Sequence, residues 1–283
     1  MKKRKIIEEN FFKYFLAFFT YSLIVILFFI VFEIAKKGVP ALSWEMMTEV
    51  PKGGFYFGKE GGIYNAIIGS LYLALGASIL SIAVSLPVAL FINISLVRHV
   101  KIQNTIRLIF DLLWGVPPIV YGAFAFSIMI ILGLKASLLA GILTIAFLIM
   151  PVMIRAMDEV FKNIPMGLLE STLSLGATRF EVAGIFFRQA LPGIATAFLL
   201  GFAKGIGDTA AVLFTAGYTD YVPESLGEPA ATLPLAIFYQ LSSPIEEVKA
   251  RAYAAAVVLT LFILVISIVS RYLSSKVSKN TVT

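Results

Sequence analysis

Charged residues leave long gaps along this chain of 283 residues. Residues 14–32, 61–97, 112–134, 136–154 and 252–270 contain no Asp, Glu, Lys or Arg, and the shortest of these stretches has 19 residues. A bilayer core about 30 Å thick is crossed by roughly 20 apolar residues in helical form. A sixth stretch, 189–219, is interrupted only by Lys204 and Asp208. The pattern predicts six membrane helices. The longest connection between them, residues 155–188, is shorter than the roughly 50 residues of a separate domain, so no appended soluble enzyme is expected. Pro87, Pro117-Pro118 and Pro151 fall inside the apolar stretches, where they are expected to kink or interrupt helices. Gly201/Gly205 and Ala203/Gly207, at four-residue spacing, provide a surface for close helix approach.

Composition agrees with this picture and narrows the chemistry. Hydrophobic residues make up 59% of the chain, charged residues only 14%, and the mean hydropathy is +0.91. Soluble domains carry about 25% charged residues, so an integral membrane protein is expected. Without cysteine and with His99 as the sole histidine, thiol nucleophiles, Cys-based zinc sites, iron–sulfur clusters and multi-His metal sites have no ligands. The net charge of +6 comes from basic clusters flanking apolar runs, a membrane-orientation signal rather than a nucleic-acid footprint. Fifteen Lys and Arg residues fall on the side of the two termini and of residues 155–188, against seven on the other. Both termini are therefore expected in the cytoplasm, with 33–60 and 220–251 facing outward. The first apolar run exceeds a signal peptide's core of roughly 7–15 residues, and it reads as a retained helix. Trp44, Tyr56, Tyr72, Trp114, Tyr221 and Tyr272 read as interfacial aromatics. The string from Gly53 to Glu60 nearly spells a phosphate-binding P-loop. It fails at Glu60, where a magnesium-binding Ser or Thr is required, and its loop faces outward, so the chain is not expected to hydrolyse ATP.

The connection at 155–188 predicts a short helix. Asn163-Ile164-Pro165 is a helix-start signal, after which Leu168, Leu169, Thr172 and Leu175 recur at helical spacing. Gly176 stops that helix, and Thr178-Arg179-Phe180-Glu181 starts the next with a capping box. The apolar stripe either lies on the lipid interface or fills a groove on a partner. Lys204 and Asp208 pose a second question, because a charge at mid-bilayer costs at least about 2.5–3.5 kcal/mol. Four apart, they share a helix face. They either neutralise each other or line a polar path in which a cation attracts an anion and a carboxylate limits its dwell time. Arg107 and Asp111, also four apart, read as an interfacial pair, and Arg155 as a cytoplasmic-side anchor.

Glu170-Ser171-Thr172-Leu173-Ser174-Leu175-Gly176 resembles the EAA-x-x-x-G loop of ABC-importer permeases, with Ser171 and Thr172 in place of two alanines. The resemblance narrows to the A-type permeases of the phosphate (Pst) family. It is carried by Gly61-Gly62-Ile63-Tyr64-Asn65-Ala66, Gly115-Val116-Pro117-Pro118-Ile119-Val120-Tyr121-Gly122, Met150-Pro151-Val152-Met153-Ile154-Arg155, Gly207-Asp208-Thr209-Ala210 and Thr232-Leu233-Pro234-Leu235. It implies an all-α integral membrane protein of six transmembrane helices with the type I ABC importer permease fold. A permease domain at 61–273 would follow an N-terminal tail, helix and outer loop at 1–60 and precede a cytoplasmic tail at 274–283. The implied function is a permease subunit forming half of the path of an ATP-driven importer for inorganic phosphate in a prokaryotic inner membrane. The alternatives are another oxyanion such as molybdate, tungstate or a phosphonate, and an ion-coupled secondary carrier.

The implied partners are a second permease subunit, two ATPase subunits, an extracytoplasmic phosphate-binding protein and membrane lipid, with no nucleic acid. No cofactor is expected in this chain, ATP and magnesium being used by the ATPase. The resemblance assigns Lys204, Asp208, Thr209 and Arg155 to the substrate path. It assigns Pro165, Leu168, Leu169, Glu170, Ser171, Thr172, Leu175 and Gly176 to the ATPase-coupling helix. Family members carry Arg and Glu where this chain has Lys204 and Asp208, so each sign of charge is kept on a different side chain.

Overall fold

The computed structural model describes residues 2–52 and 61–278. The P-loop-like string at 53–60, with Tyr56, lies outside them, as do residues 279–283. The described residues form ten α-helices: α1 Lys2–Gly38, α2 Trp44–Thr48, α3 Tyr64–Leu90, α4 Val100–Trp114, α5 Pro118–Ile131, α6 Leu138–Lys162, α7 Met166–Ser174, α8 Arg179–Gly207, α9 Leu233–Leu241 and α10 Glu246–Ser278. Five of them, α1, α3, α6, α8 and α10, contain a window long and apolar enough to cross a membrane, and α6 is the most buried. It packs against α3, α4, α5 and α8, while α10 joins α1, α8 and α9 on the other side.

The sixth predicted span takes a different form. Residues 112–134 are not one helix: α4 ends at Trp114, α5 starts at Pro118, and the two are bent by 91°. Pro117 is extended (φ −58°, ψ 136°), because a proline at 118 disfavours helical geometry in the residue before it. The 14 residues of α5 rise about 21 Å, short of a bilayer core, so only the bent pair taken together makes a sixth span. The predicted stretch 189–219 also moves. Its helix starts ten residues earlier, at Arg179, and ends at Gly207. The capping box is present: Glu181 N–H donates to Thr178 Oγ1 (3.3 Å) and Thr178 N–H to Glu181 Oε2 (2.7 Å). Pro87, Pro151 and Pro192 sit inside continuous helices, although α3 passes into a π-helical turn at Phe91–Ser95 soon after Pro87.

The glycine spacing in α8 works as close packing. A Cβ on Gly201 would strike Met153 and one on Gly205 would crowd Ile145, both on α6. At the far end of α6, the segment 217–232 folds back over the helix start. Leu138 N–H donates to Glu228 O (2.7 Å) and Leu139 N–H to Leu226 O (2.9 Å), while Ala140 N–H finds Ser137 Oγ (3.3 Å). Three orphan donors of a buried helix start are thereby satisfied. The short helix α9, buried at its start, is pinned to α3 where Leu233 N–H donates to Ser70 Oγ (2.7 Å).

Candidate functional site

Lys204, Asp208 and Thr209 lie together where α8 ends. Asp208 leaves the helix in extended geometry (φ −82°, ψ 125°), and its Oδ1 accepts from Ala211 N–H at 2.8 Å, capping the turn that follows. All three residues are half-buried. Among the described residues no hydrogen bond or ion pair within 4.0 Å joins Lys204 to Asp208, although their charges attract. The carboxylate is thus engaged by backbone, while among the described residues the ammonium forms no ion pair within 4.0 Å. Gly122 of α5 closes the site from one side, since a Cβ there would stand 2.6 Å from Ala211 O and 3.0 Å from Ala210 O. The Gly122 and Gly207-Asp208-Thr209-Ala210 motifs, separate in sequence, therefore meet.

Arg155 is elsewhere, in an ionic cluster between α4 and α6. Its Nε lies 2.6 Å from Asp111 Oδ1 and its Nη1 2.7 Å from Asp158 Oδ2. Asp158 is 0% exposed. Arg107 grips both its oxygens, Nη2 to Oδ1 at 2.9 Å and Nε to Oδ2 at 3.0 Å, while Asn93 Nδ2 donates to Oδ1 at 2.9 Å. Lys162 Nζ adds a fourth cationic or amide contact at 3.3 Å. The sequence-based pairing of Arg107 with Asp111 is therefore corrected. Each of the two reaches across to α6, where a buried carboxylate and a second arginine offer better geometry than an exposed neighbour on the same helix. Asp158 escaped the sequence reading altogether. Its spacing from Arg155 (i, i+3) and Lys162 (i, i+4) was the available signal.

The coupling segment follows directly from α6. Asn163, read as the cap that opens α7, instead ends α6, with Nδ2 donating to Glu159 O (2.9 Å). Pro165 precedes α7 in extended geometry. Gly176 closes it with φ +84°, a left-handed conformation that glycine adopts without a Cβ clash. Gly176 N–H donates to Leu173 O at 3.0 Å. The apolar stripe divides between two environments. Leu169, 3% exposed, belongs to the protein's own core with Val182 and Phe186, and Leu168 packs against the same cluster. Thr172 Oγ1 donates to Leu168 O (2.6 Å). Leu175 stands out at 89% exposed, and Glu170 and Ser171 are exposed beside it. Phe180, absent from the sequence-based set, is 88% exposed across the Gly176 turn. The outward surface is thus a Leu175–Phe180 pair at the turn rather than the whole stripe. Arg179 Nη1 donates to Ser95 O (3.1 Å), tying this turn to the end of α3.

The coupling turn and the Lys204–Asp208 pair lie at opposite ends of α8, about 37 Å apart along its axis at 1.5 Å per residue.

Comparison with known proteins gives a consistent answer. The family described as "Binding-protein-dependent transport system inner membrane component" matches residues 85–279. The chain is 32% identical over 251 residues to the phosphate transport system permease protein PstA of Pasteurella multocida (strain Pm70), covering 88% of each chain. It is 31% identical to that of Haemophilus influenzae, covering 86% of this chain and 85% of the relative. The probable PstA of Methanocaldococcus jannaschii is 30% identical, covering 96% and 95%. Among solved structures, an inward-facing MetNI methionine ABC transporter matches with a TM-score of 0.62 at 18% identity. It covers 76% of this chain and 95% of that one, a likeness of fold. From α3 onward the helices, the coupling turn and the matched motifs coincide in one polypeptide, and the chain belongs to the binding-protein-dependent transport system inner membrane components, as a PstA-type ABC permease.

Proposed function

We propose that the chain forms half of the transmembrane path of an ATP-driven importer for inorganic phosphate. The observation that carries this reading is the match to PstA proteins over most of the chain. The chain is a multi-pass inner-membrane transport subunit rather than an enzyme. In the proposed assembly it pairs with a second permease subunit. Two ATPase subunits, which use ATP and magnesium, grip α7 and the Leu175–Phe180 turn. A phosphate-loaded binding protein docks on the segments at 33–60 and 220–251, and both termini are cytoplasmic.

Lys204 supplies a fixed positive charge where an anion crosses, and Asp208 with Thr209 limits how long it stays, since a path must release what it admits. A lysine acts as a point charge rather than a bidentate fork, which suits a tetrahedral anion passing through without being held. Arg155, whose charge is matched by Asp111 and Asp158, stands apart from this lining in the α4–α6 ionic cluster.

Competition separates the phosphate assignment from its oxyanion rivals. In proteoliposomes carrying the full complex and binding protein, unlabelled phosphate is expected to abolish uptake of labelled phosphate, whereas equal molybdate, tungstate or methylphosphonate leaves it. Uptake suppressed by one of those three and not by phosphate would reassign the substrate.

A further inference from the structure

The α4–α6 ionic cluster has no part in binding substrate or ATPase as described above, yet among the described residues it contains the most heavily engaged buried carboxylate, Asp158. Its arrangement is reciprocal. Arg107 of α4 reaches Asp158 of α6, and Arg155 of α6 reaches Asp111 of α4. Two crossed ion pairs resist sliding and rotation of one helix on the other: breaking Arg107–Asp158 strands a fully buried carboxylate, while the partly exposed Arg155–Asp111 pair adds a weaker restraint. Asn93 adds a third element, joining the π-helical turn after α3 to Asp158 Oδ1.

The place of the cluster in the chain gives it a direction. Asp158 is seven residues before Pro165, the residue that opens the coupling helix α7, and the last turn of α6 leads into it. On the other side, α4 runs into the 91° bend at residues 115–117 and then into α5. From α5, Gly122 packs on the Ala210 and Ala211 carbonyls, directly beside the turn that Asp208 caps. Chain connections and contacts together lead from α7 into α6, across the crossed ion pairs to α4, through the bend to α5, which also packs on α6, and on to the end of α8. The bend makes α4 a lever: a rigid helix nearly perpendicular to α5 turns a shift at α6 into a displacement of α5.

We infer that the crossed Arg107–Asp158 and Arg155–Asp111 pairs are a clasp that makes α4 move with the coupling end of α6, transmitting the motor's stroke to the α5–Asp208 region. Asp158, Arg107 and Asp111 act here as positioning residues. The inference rests on the ABC-permease reading but not on which anion is carried, and its test is chosen accordingly. Physical continuity alone does not establish coupling, so the test reads motion directly.

The chain has no cysteine, so spin labels can be placed at Thr105 on α4 and Asn163 after α6, both exposed, in the assembled complex. In the otherwise unaltered chain the label distance is expected to be narrow and the same with and without ATP. In Asp158→Asn, which keeps the shape but removes the charge, the distribution is expected to broaden and to shift on ATP binding. Uptake per ATP hydrolysed is expected to fall by roughly tenfold, within the 5–150-fold range of ordinary coupling energies. A second variant, Asp111→Asn, acts at a partly exposed position (46% exposed) and guards against misfolding of the first. It is expected to give the same change in smaller measure. An ATP-independent narrow distance in both variants would overturn the clasp, even if their thermal stability fell. Absence of phosphate uptake by the unaltered complex would instead count against the substrate assignment, and the label distances would still decide the clasp.

Discussion

Lys204→Ala is expected to reduce phosphate uptake by the assembled transporter ten- to a hundredfold while the subunits remain associated. A hydrogen bond to a charged group contributes about 1.5–3 kcal/mol, and the ammonium of Lys204 is the group proposed to attract the anion beside the Asp208 turn. The substitution does not damage insertion, because it removes a charge that costs free energy in the bilayer. Nor does it strand Asp208, whose Oδ1 keeps the Ala211 N–H. Loss of uptake would therefore report on the path rather than on folding. Lys204→Arg keeps the charge and is expected to keep most of the uptake. Asp208→Asn retains the capping oxygen and tests the opposite half of the pair: slower release, seen as a lower maximal rate. Uptake by Lys204→Ala equal to that of the unaltered chain would assign Lys204 to charge balance alone.

Gly176→Pro is expected to separate ATP hydrolysis from transport, with uptake falling to background. Gly176 sits at φ +84°, and proline fixes φ near −65°. Proline also lacks the N–H that Gly176 donates to Leu173 O and disfavours the near-helical geometry of Leu175 before it (φ −79°, ψ 3°). The turn that presents Leu175 and Phe180 must reopen, so the proposed docking surface is displaced while α6 and α8 keep their own packing. Gly176→Ala makes the graded control. No atom lies within 4 Å of the Cβ it would add, so its cost is backbone strain alone, about 1–2 kcal/mol, and partial coupling is expected. The ratio of phosphate taken up to ATP hydrolysed is the measurement. A Gly176→Pro complex with an unaltered ratio would show that the turn does not carry the coupling.

Much of the architecture is legible in the positions of the charges. Long apolar runs mark α1, α3, α6 and α10, and the Thr178–Glu181 capping box marks the start of α8 to the residue. What hydropathy cannot register is backbone direction. Residues 112–134 are uniformly apolar across Pro117-Pro118, and the expectation that these prolines kink or interrupt a helix does not say which, nor that the chain turns by 91°. Arg179, Glu181 and Arg188 interrupt the apolar run, so composition alone starts α8 too late. Asp208, which looks like a charge inside a span, is where the helix ends.

The candidate site divides in the same way. Lys204 and Asp208 stand out because they are exceptions within an apolar stretch, and the coupling segment stands out through its spacing and Gly176. Asp158 does not stand out, because its partners Arg107 and Asn93 come from distant parts of the chain and are brought to it only by the packing of α3, α4 and α6. Leu169 and Leu175 share one stripe in sequence. The chain's own core claims the first and leaves the second outside with Phe180.

The most direct measurement is ATP-dependent accumulation of labelled phosphate inside proteoliposomes containing this chain, its partner permease and the ATPase pair, with phosphate-loaded binding protein outside. The expected result is accumulation against the gradient that needs ATP, the binding protein and this chain together. Phosphate uptake that persists without the ATPase subunits, or an ATP-driven complex that accumulates no phosphate, would contradict it.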